Sequence, residues 1–434
     1  MTTFERFEGD LPMLLEELAP PRTPDYLDSV FGRTSGSRQR PAWSFPERWL
    51  PMSTLTDRMA TTLRVPWRPI LILALLLLAF AAAALYVGTQ QRRLPAPFGP
   101  AANGLIPYGS AGDIYLGDPL TGTKRLLVGG PGNDSLVGFS PDGTRIAFVR
   151  PVGSGAGDLP VDVYVVNADG SDPHPVTTKP IGGLSRISWT PDGRLAVIHP
   201  VEARSQSASA PGAQVIGLDI LDTDGSGKLE PIATADAMDV VQFRPPDGRE
   251  ILIKGQINGF YGLYAMNADG TNVHSLLLAT DPESDEFWGG VAYAADGDRI
   301  FYTRPFEHES TTGTCCTLWV MNADGSDPHE FIPSTGESWD GQPTVSPDGT
   351  RVAFWNGQVS VVPADGTGRA IPTGPALSGN RHWVWAPDSS KILMYLDDGS
   401  STTAYLLDPN GGPGTTVPWQ QDGDLDWQRV APAP

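Results

Sequence analysis

FSPDGTRIAFV at residues 139–149 and VYVVNADGS at 163–171 decide the fold of this chain. In the first, an aromatic residue stands two places before Pro-Asp-Gly and an apolar run follows. In the second, an apolar run leads into Asn-Ala-Asp-Gly. Proline presets φ at the second turn position, Asp suits the third, and Gly accepts the positive φ that ends the turn. Each stretch therefore reads as a hairpin of two antiparallel strands.

Both stretches recur. The first returns as WTPDGRLAVI (189–198), FRPPDGREILI (243–253), YAADGDRIFY (293–302), VSPDGTRVAFW (345–355) and WAPDSSKILMY (385–395). The second returns as LDILDTDGS (218–226), LYAMNADGT (263–271), LWVMNADGS (318–326) and VSVVPADGT (359–367), with weaker copies IYLGDPLTG (114–122) and AYLLDPNGG (404–412). They alternate strictly, so each period supplies four antiparallel strands, a to d, the signature of a β-propeller blade. The motifs resemble the propeller repeats of the TolB family over roughly residues 104–430. The resemblance implies a propeller of six blades. The repeats themselves count seven, because DLDWQRV (424–430) supplies the missing strand a, with Trp427 in register with Phe139, Trp189, Phe243, Tyr293 and Trp385. The first copy begins at strand b, so the C-terminal strand is expected to complete the N-terminal blade and leave no open edge. The expected fold is all-β, a seven-bladed propeller, with six as the alternative.

The rest of the chain differs in kind. Among 434 residues there are 30 Lys+Arg against 50 Asp+Glu, a formal charge of −20, and no basic cluster. That balance argues against nucleic acid as a partner. Ile70 to Val87 is an uncharged apolar run, ILILALLLLAFAAAALYV, long enough at about 1.5 Å per residue to cross a bilayer. With flanking Trp67 and Tyr86, it reads as one uncleaved transmembrane helix over 67–88. Residues 1–87 carry nine basic and nine acidic side chains, so the entire negative charge lies beyond the run. Together with Arg58, Arg64 and Arg68 before the span, this favours a cytoplasmic N-terminus and an extracytoplasmic propeller in the cell membrane.

Residues 1–66 read as a cytoplasmic helical tether. Asp10 caps an apolar stripe of Leu11, Leu14, Leu15 and Leu18, and Thr23-Pro24 opens a second helix. This segment has no Cys and no His, which rules out a zinc site in it. Residues 89–103 read as a linker and 431–434 as a tail.

Antiparallel strands place every Pro-Asp-Gly and Ala-Asp-Gly turn on one face of the disc. The longer b–c and d–a connections gather on the other, and such variable loops are where binding residues concentrate. The candidate binding residues there are Trp288, Trp339, Asp340, Arg381, His382 and Trp383, facing an envelope protein or a small ligand. Packing at blade junctions is the competing role for the aromatic ones. Cys315 and Cys316 are adjacent and are the only cysteines, so either a vicinal disulfide or two free thiols satisfies the pattern. Asp222, Asp224 and Gly225 mimic part of a calcium loop, but the flanking positions carry no ligands, and no metal or cofactor is expected. His174, His274 and His329 share one repeat position on strand d and read as scaffold.

The leading functional expectation is a non-catalytic binding or sensing module. A propeller hydrolase or lyase using loop carboxylates with His308 or His382 is the alternative, and a scaffolding subunit of an envelope complex the third reading. Peptidases of the prolyl oligopeptidase type carry similar propellers but need a Gly-x-Ser-x-Gly nucleophile elbow, which this sequence lacks.

Overall fold

The computed structural model describes residues 71–78, 95–153, 159–201, 215–280, 290–305, 316–332, 341–376, 379–397, 402–419 and 425–431. The chain divides into two compact units, Met1–Gln90 and Gln91–Pro434. In the first, residues 71–78 are helical and every leucine among them is more than half exposed. Among the described residues no helix is long and apolar enough to cross a membrane. Of the expected span over 67–88 the described residues include only 71–78, and the readings of residues 1–66 lie outside the described residues.

The second unit is a ring of seven small antiparallel sheets. Blade 2 shows the pattern: strand a is Ser135–Phe139, b is Arg145–Pro151, c is Val161–Asn167 and d is His174–Pro175. Blade 3 comprises Arg186–Trp189, Leu195–Val201, Val215–Leu221 and Leu229–Ala235. Blade 4 comprises Ala237–Phe243, Glu250–Ile257, Phe260–Asn267 and His274–Leu278. Blade 5 comprises Val291–Tyr293, Arg299–Pro305, Cys316–Asn322 and His329–Glu330. Blade 6 follows with Gly341–Val345, Arg351–Trp355, Val359–Pro363 and Ile371–Thr373. Blade 7 consists of Asn380–Trp385, Ile392–Asp397, Thr402–Leu407 and Thr415–Thr416.

Blade 1 is assembled from both ends of the unit. Ile106–Ser110, Asp113–Gly117 and Lys124–Val128 form its strands b, c and d. Just before them, Ala102 pairs with Val430 and Asn103 with Arg429. The pairing continues as Gly104 N–H donates to Gln428 O and Gln428 N–H to Leu105 O, both at 2.9 Å. Trp427 is buried, and its indole donates to Gly104 O at 3.1 Å. The ring thus closes three-plus-one with seven blades, not six.

The core is not central but divided among the blade junctions. Seven apolar clusters of described residues each join two neighbouring blades, including blades 7 and 1. Strand alternation explains the division: in strand b of blade 2, Ile146 and Phe148 pack towards blade 1 while Ala147 packs towards blade 3. Strands b and c are buried on both sides, which is why they read as continuous apolar runs.

Both repeat turns take the expected form. Gly143 N–H donates to Ser140 O and Gly170 N–H to Asn167 O, with φ +68 and +93 at the two glycines. Each of these glycines also faces the preceding blade. A Cβ on Gly143 would lie closer than 3.0 Å to Arg429 O, and one on Gly297 equally close to Pro245 O. For Gly325, Leu276 O stands at 2.7 Å from that position.

Candidate functional site

The turn face is rich in carboxylates, and local geometry occupies them. In Ala-Asp-Gly turns the hydroxyl and N–H of Ser171 both donate to Asp169, which holds this carboxyl below its usual range. The same pair of bonds lowers Asp269, Asp324 and Asp365. In the Pro-Asp-Gly turns burial opposes ionisation, yet bonds from Ser140 and Thr144 prevail and lower Asp142; Asp348 behaves alike. These acids are anionic turn locks, not proton donors poised near neutrality.

The loop-face half of the sheets carries bases as well, as the turn-face half does with Arg145 over the Trp189 ring and Arg299 over the Phe301 ring. In blade 2, Arg150 grips Asp134 through two bonds of 2.7 and 2.8 Å, and its guanidinium lies 4.8 Å from the Tyr164 ring. The Asp134 side chain is only 2% exposed, so this pair joins the d–a connection to the end of strand b. In blade 4, Lys254 approaches Asp239 at 3.9 Å. Arg304 of blade 5 sits over the Trp319 ring at 5.4 Å.

Blade 3 holds a His–Asp pair. His199 Nε2 lies 3.1 Å from Asp219 Oδ2 while Nδ1 faces Pro200 O at 3.1 Å. Both ring nitrogens thus meet acceptors, and both are satisfied only when the ring is doubly protonated. Accordingly the hydrogen bond that His199 donates to Asp219 raises its pKa against the opposing pull of burial.

At the junction of blades 6 and 7, Arg381 lies 3.8 Å above the Trp355 ring and donates to Gly379 O at 3.0 Å. Burial lowers its pKa. Trp355 in turn stacks with Trp383. Trp383 is itself 7% exposed and donates to Thr344 Oγ1 at 2.9 Å, so it packs the junction. His382, one residue along the strand, points the other way and stacks on Tyr395 at 5.5 Å. The structure therefore brings Arg381 and Trp383 together around Trp355 and separates His382 from them. Trp288, Trp339, Asp340, His308 and Cys315 lie outside the described residues, as does the side chain of Cys316.

Arg150, His199, Lys254 and Arg304 were not among the sequence candidates, although the signal was available: in blades 2 to 5 the apolar run after the Asp-Gly turn ends in a base. The histidines 174, 274 and 329 open strands d, each with Nδ1 within 2.9 Å of the carbonyl two residues earlier. Among the described residues no group of three or more His, Cys, Asp or Glu could hold a metal ion.

No protein-family model matches the chain, and no curated protein does. Solved structures do match. An oligogalacturonate lyase in complex with manganese is 15% identical with a TM-score of 0.50, covering 68% of this chain and 82% of that one. The oligogalacturonate lyase of Vibrio parahaemolyticus is 14% identical with a TM-score of 0.51, covering 73% and 92%. TolB from Acinetobacter baumannii is 15% identical with a TM-score of 0.44, covering 74% and 81%. At these identities the lyases share the propeller fold with this chain, and the likeness extends no further than fold.

Proposed function

We propose that this chain is a membrane-tethered recognition module whose propeller binds an envelope protein or small ligand on its loop face, without catalysis of its own. The observation that carries this reading is the set of arginines seated on aromatic rings at the loop-face strand ends. Turn carboxylates such as Asp169 are held by their own turns, and at the loop-face strand ends Arg150, Arg304 and Arg381 lie on aromatic rings, an arrangement suited to contact rather than proton transfer. The tether rests on the apolar run Ile70 to Val87, which supports a helical anchor with the propeller outside.

The test uses the full chain, lightly cross-linked in envelope extract. Changing Arg304→Glu together with Arg381→Gln is expected to abolish a stoichiometric partner. Changing Asp169→Asn together with Asp324→Asn is expected to keep it, with melting curves confirming that all variants fold. Loss in the turn-face variant and retention in the loop-face variant reverses the assignment. Alkaline extraction tests the tether: an anchored chain stays with the membrane pellet.

One observation favours a second reading, a hydrolase or lyase. The His199–Asp219 pair lies at the foot of a long b–c connection, with the spacing of a general acid–base and its orienting carboxylate. Turnover of an envelope glycan or peptide that a single His199→Gln change removes would move the assignment to this reading.

A further inference from the structure

On the turn face a cavity of about 340 Å³ lies between the repeat turns and the segment leading into the propeller. Its walls are Trp189, Gln242, Phe243 and Tyr293 at the inner ends of blades 3 to 5, the prolines of three turns, and Pro97 and Phe98 from the segment leading into the propeller. The polar groups of this wall are almost all engaged. Trp189 Nε1 donates to Gly138 O at 2.9 Å, and Tyr293 Oη donates to Glu250 at 3.1 Å. Gln242 donates to Val291 O at 2.8 Å and accepts from Tyr293 N–H at 3.3 Å. Ser188 alone contributes a hydroxyl that no other described residue engages. A wall of this kind rewards an uncharged occupant, because nothing in it can compensate a buried ion. An apolar cavity of about 150 Å³ takes one benzene, so this volume admits a substituted ring.

The remaining wall is held lightly. In residues 95–100, three of six are proline, and the N–H groups of Ala96, Phe98 and Gly99 make no hydrogen bond among the described residues. What fixes the segment is one side chain: Arg429 Nη2 donates to Ala96 O at 3.0 Å and to Gly99 O at 2.6 Å. From Ala101 onward the grip changes. Ala101 N–H bonds Pro387 O at 2.9 Å, and the closing-strand ladder begins at the next residue. Gly99, at φ +78, stands next to that boundary and is suited to a hinge.

We propose that this cavity is a ligand site of its own, taking one small uncharged aromatic molecule with at most one hydroxyl, and that residues 95–100 form its movable wall. The ligand stacks between Trp189 and Phe98, and its hydroxyl meets Ser188. Release of the Ala96 and Gly99 carbonyls from Arg429 opens the site without unpairing the closing strand.

The test places 4-fluorophenylalanine at position 98 of the full chain and follows its fluorine resonance as benzyl alcohol is added. A second sample carries the label at Phe260, which lies half-exposed on the blade 4 hairpin at the opposite face. A saturable shift at position 98 alone is expected. Parallel, unsaturable shifts at both positions, or no shift at 98, overturn the proposal. Ser188→Ala is expected to weaken benzyl alcohol two- to tenfold, as loss of one neutral hydrogen bond does, and to leave toluene unchanged. Arg429→Gln is expected to move the free resonance to its solvent position and weaken binding at least tenfold, while amides 102–105 stay protected from exchange. If those amides lose protection together with position 98, the segment is part of the closing strand and not a wall that moves.

Discussion

Replacing Gly143 by Ala tests whether the repeat glycines act within their own hairpin or between blades. Two effects add. The left-handed backbone, φ +68, costs a Cβ-bearing residue about 1–2 kcal/mol. The new methyl would also press on the Arg429 carbonyl of the closing strand and on the Gln428 side chain, whose amide donates to Gly143 O at 2.8 Å. Forcing atoms into such a packed contact costs about 1–3 kcal/mol more. The natural control is Gly357→Ala, since that glycine has φ +91 but nothing within 4 Å of a built Cβ. The expected loss is therefore about 2–5 kcal/mol for Gly143→Ala against about 1–2 kcal/mol for Gly357→Ala. Urea denaturation of the full chain, followed by tryptophan fluorescence, measures the difference. Hydrogen exchange adds a spatial check: amides 102–105 and 428–430 should lose protection in the first variant only. Equal losses in the two variants, with the closing strand still protected, would refute the inter-blade role. Gly297→Ala, which meets Pro245 O, should behave like Gly143→Ala.

Three further outcomes are expected. The His199 pKa is raised on folding, so the pair's stabilisation is complete below the unfolded value near 6.5 and is lost as pH rises through the folded value. A pH series of melting temperatures should show wild type falling relative to His199→Gln above that point, and Asp219→Asn should remove the dependence. Arg150→Ala strands Asp134 in a buried site and should cost about 2–4 kcal/mol by urea denaturation, slightly below a fully buried pair because Arg150 is one-third exposed; Asp134→Asn added to it should recover part of the loss. Ala111, at φ +54 in the two-residue hairpin between strands b and c of blade 1, should accept Asn with a gain of about 0.5–1 kcal/mol, read as a small rise in melting temperature.

Hairpins, blade order and closure were legible in the residues because they depend on local chemistry repeated at a regular spacing. A Pro-Asp-Gly turn needs only its own backbone to form, and Trp427 declares its register by matching Phe139 and Trp189. The candidate site was legible only in part. Arg381 could be placed on the loop face from strand direction, but its seat on Trp355 depends on a residue 26 positions earlier in another blade. His382 and Trp383 looked like companions in the sequence, yet strand alternation sends them to opposite blade junctions.

What the sequence determined by itself was therefore everything with a short period: strand, turn, the count of seven, and which face receives the long connections. The tertiary structure alone decided which residues meet across blades. It set Arg429 against the carbonyls of residues 96 and 99, some 330 positions away, and gave the repeat-turn glycines Gly143, Gly297 and Gly325 their neighbours in the preceding blade. The physical reason is that such contacts come from the angle at which one sheet packs on the next, and that angle is set by the sum of seven separate cores rather than by any one repeat.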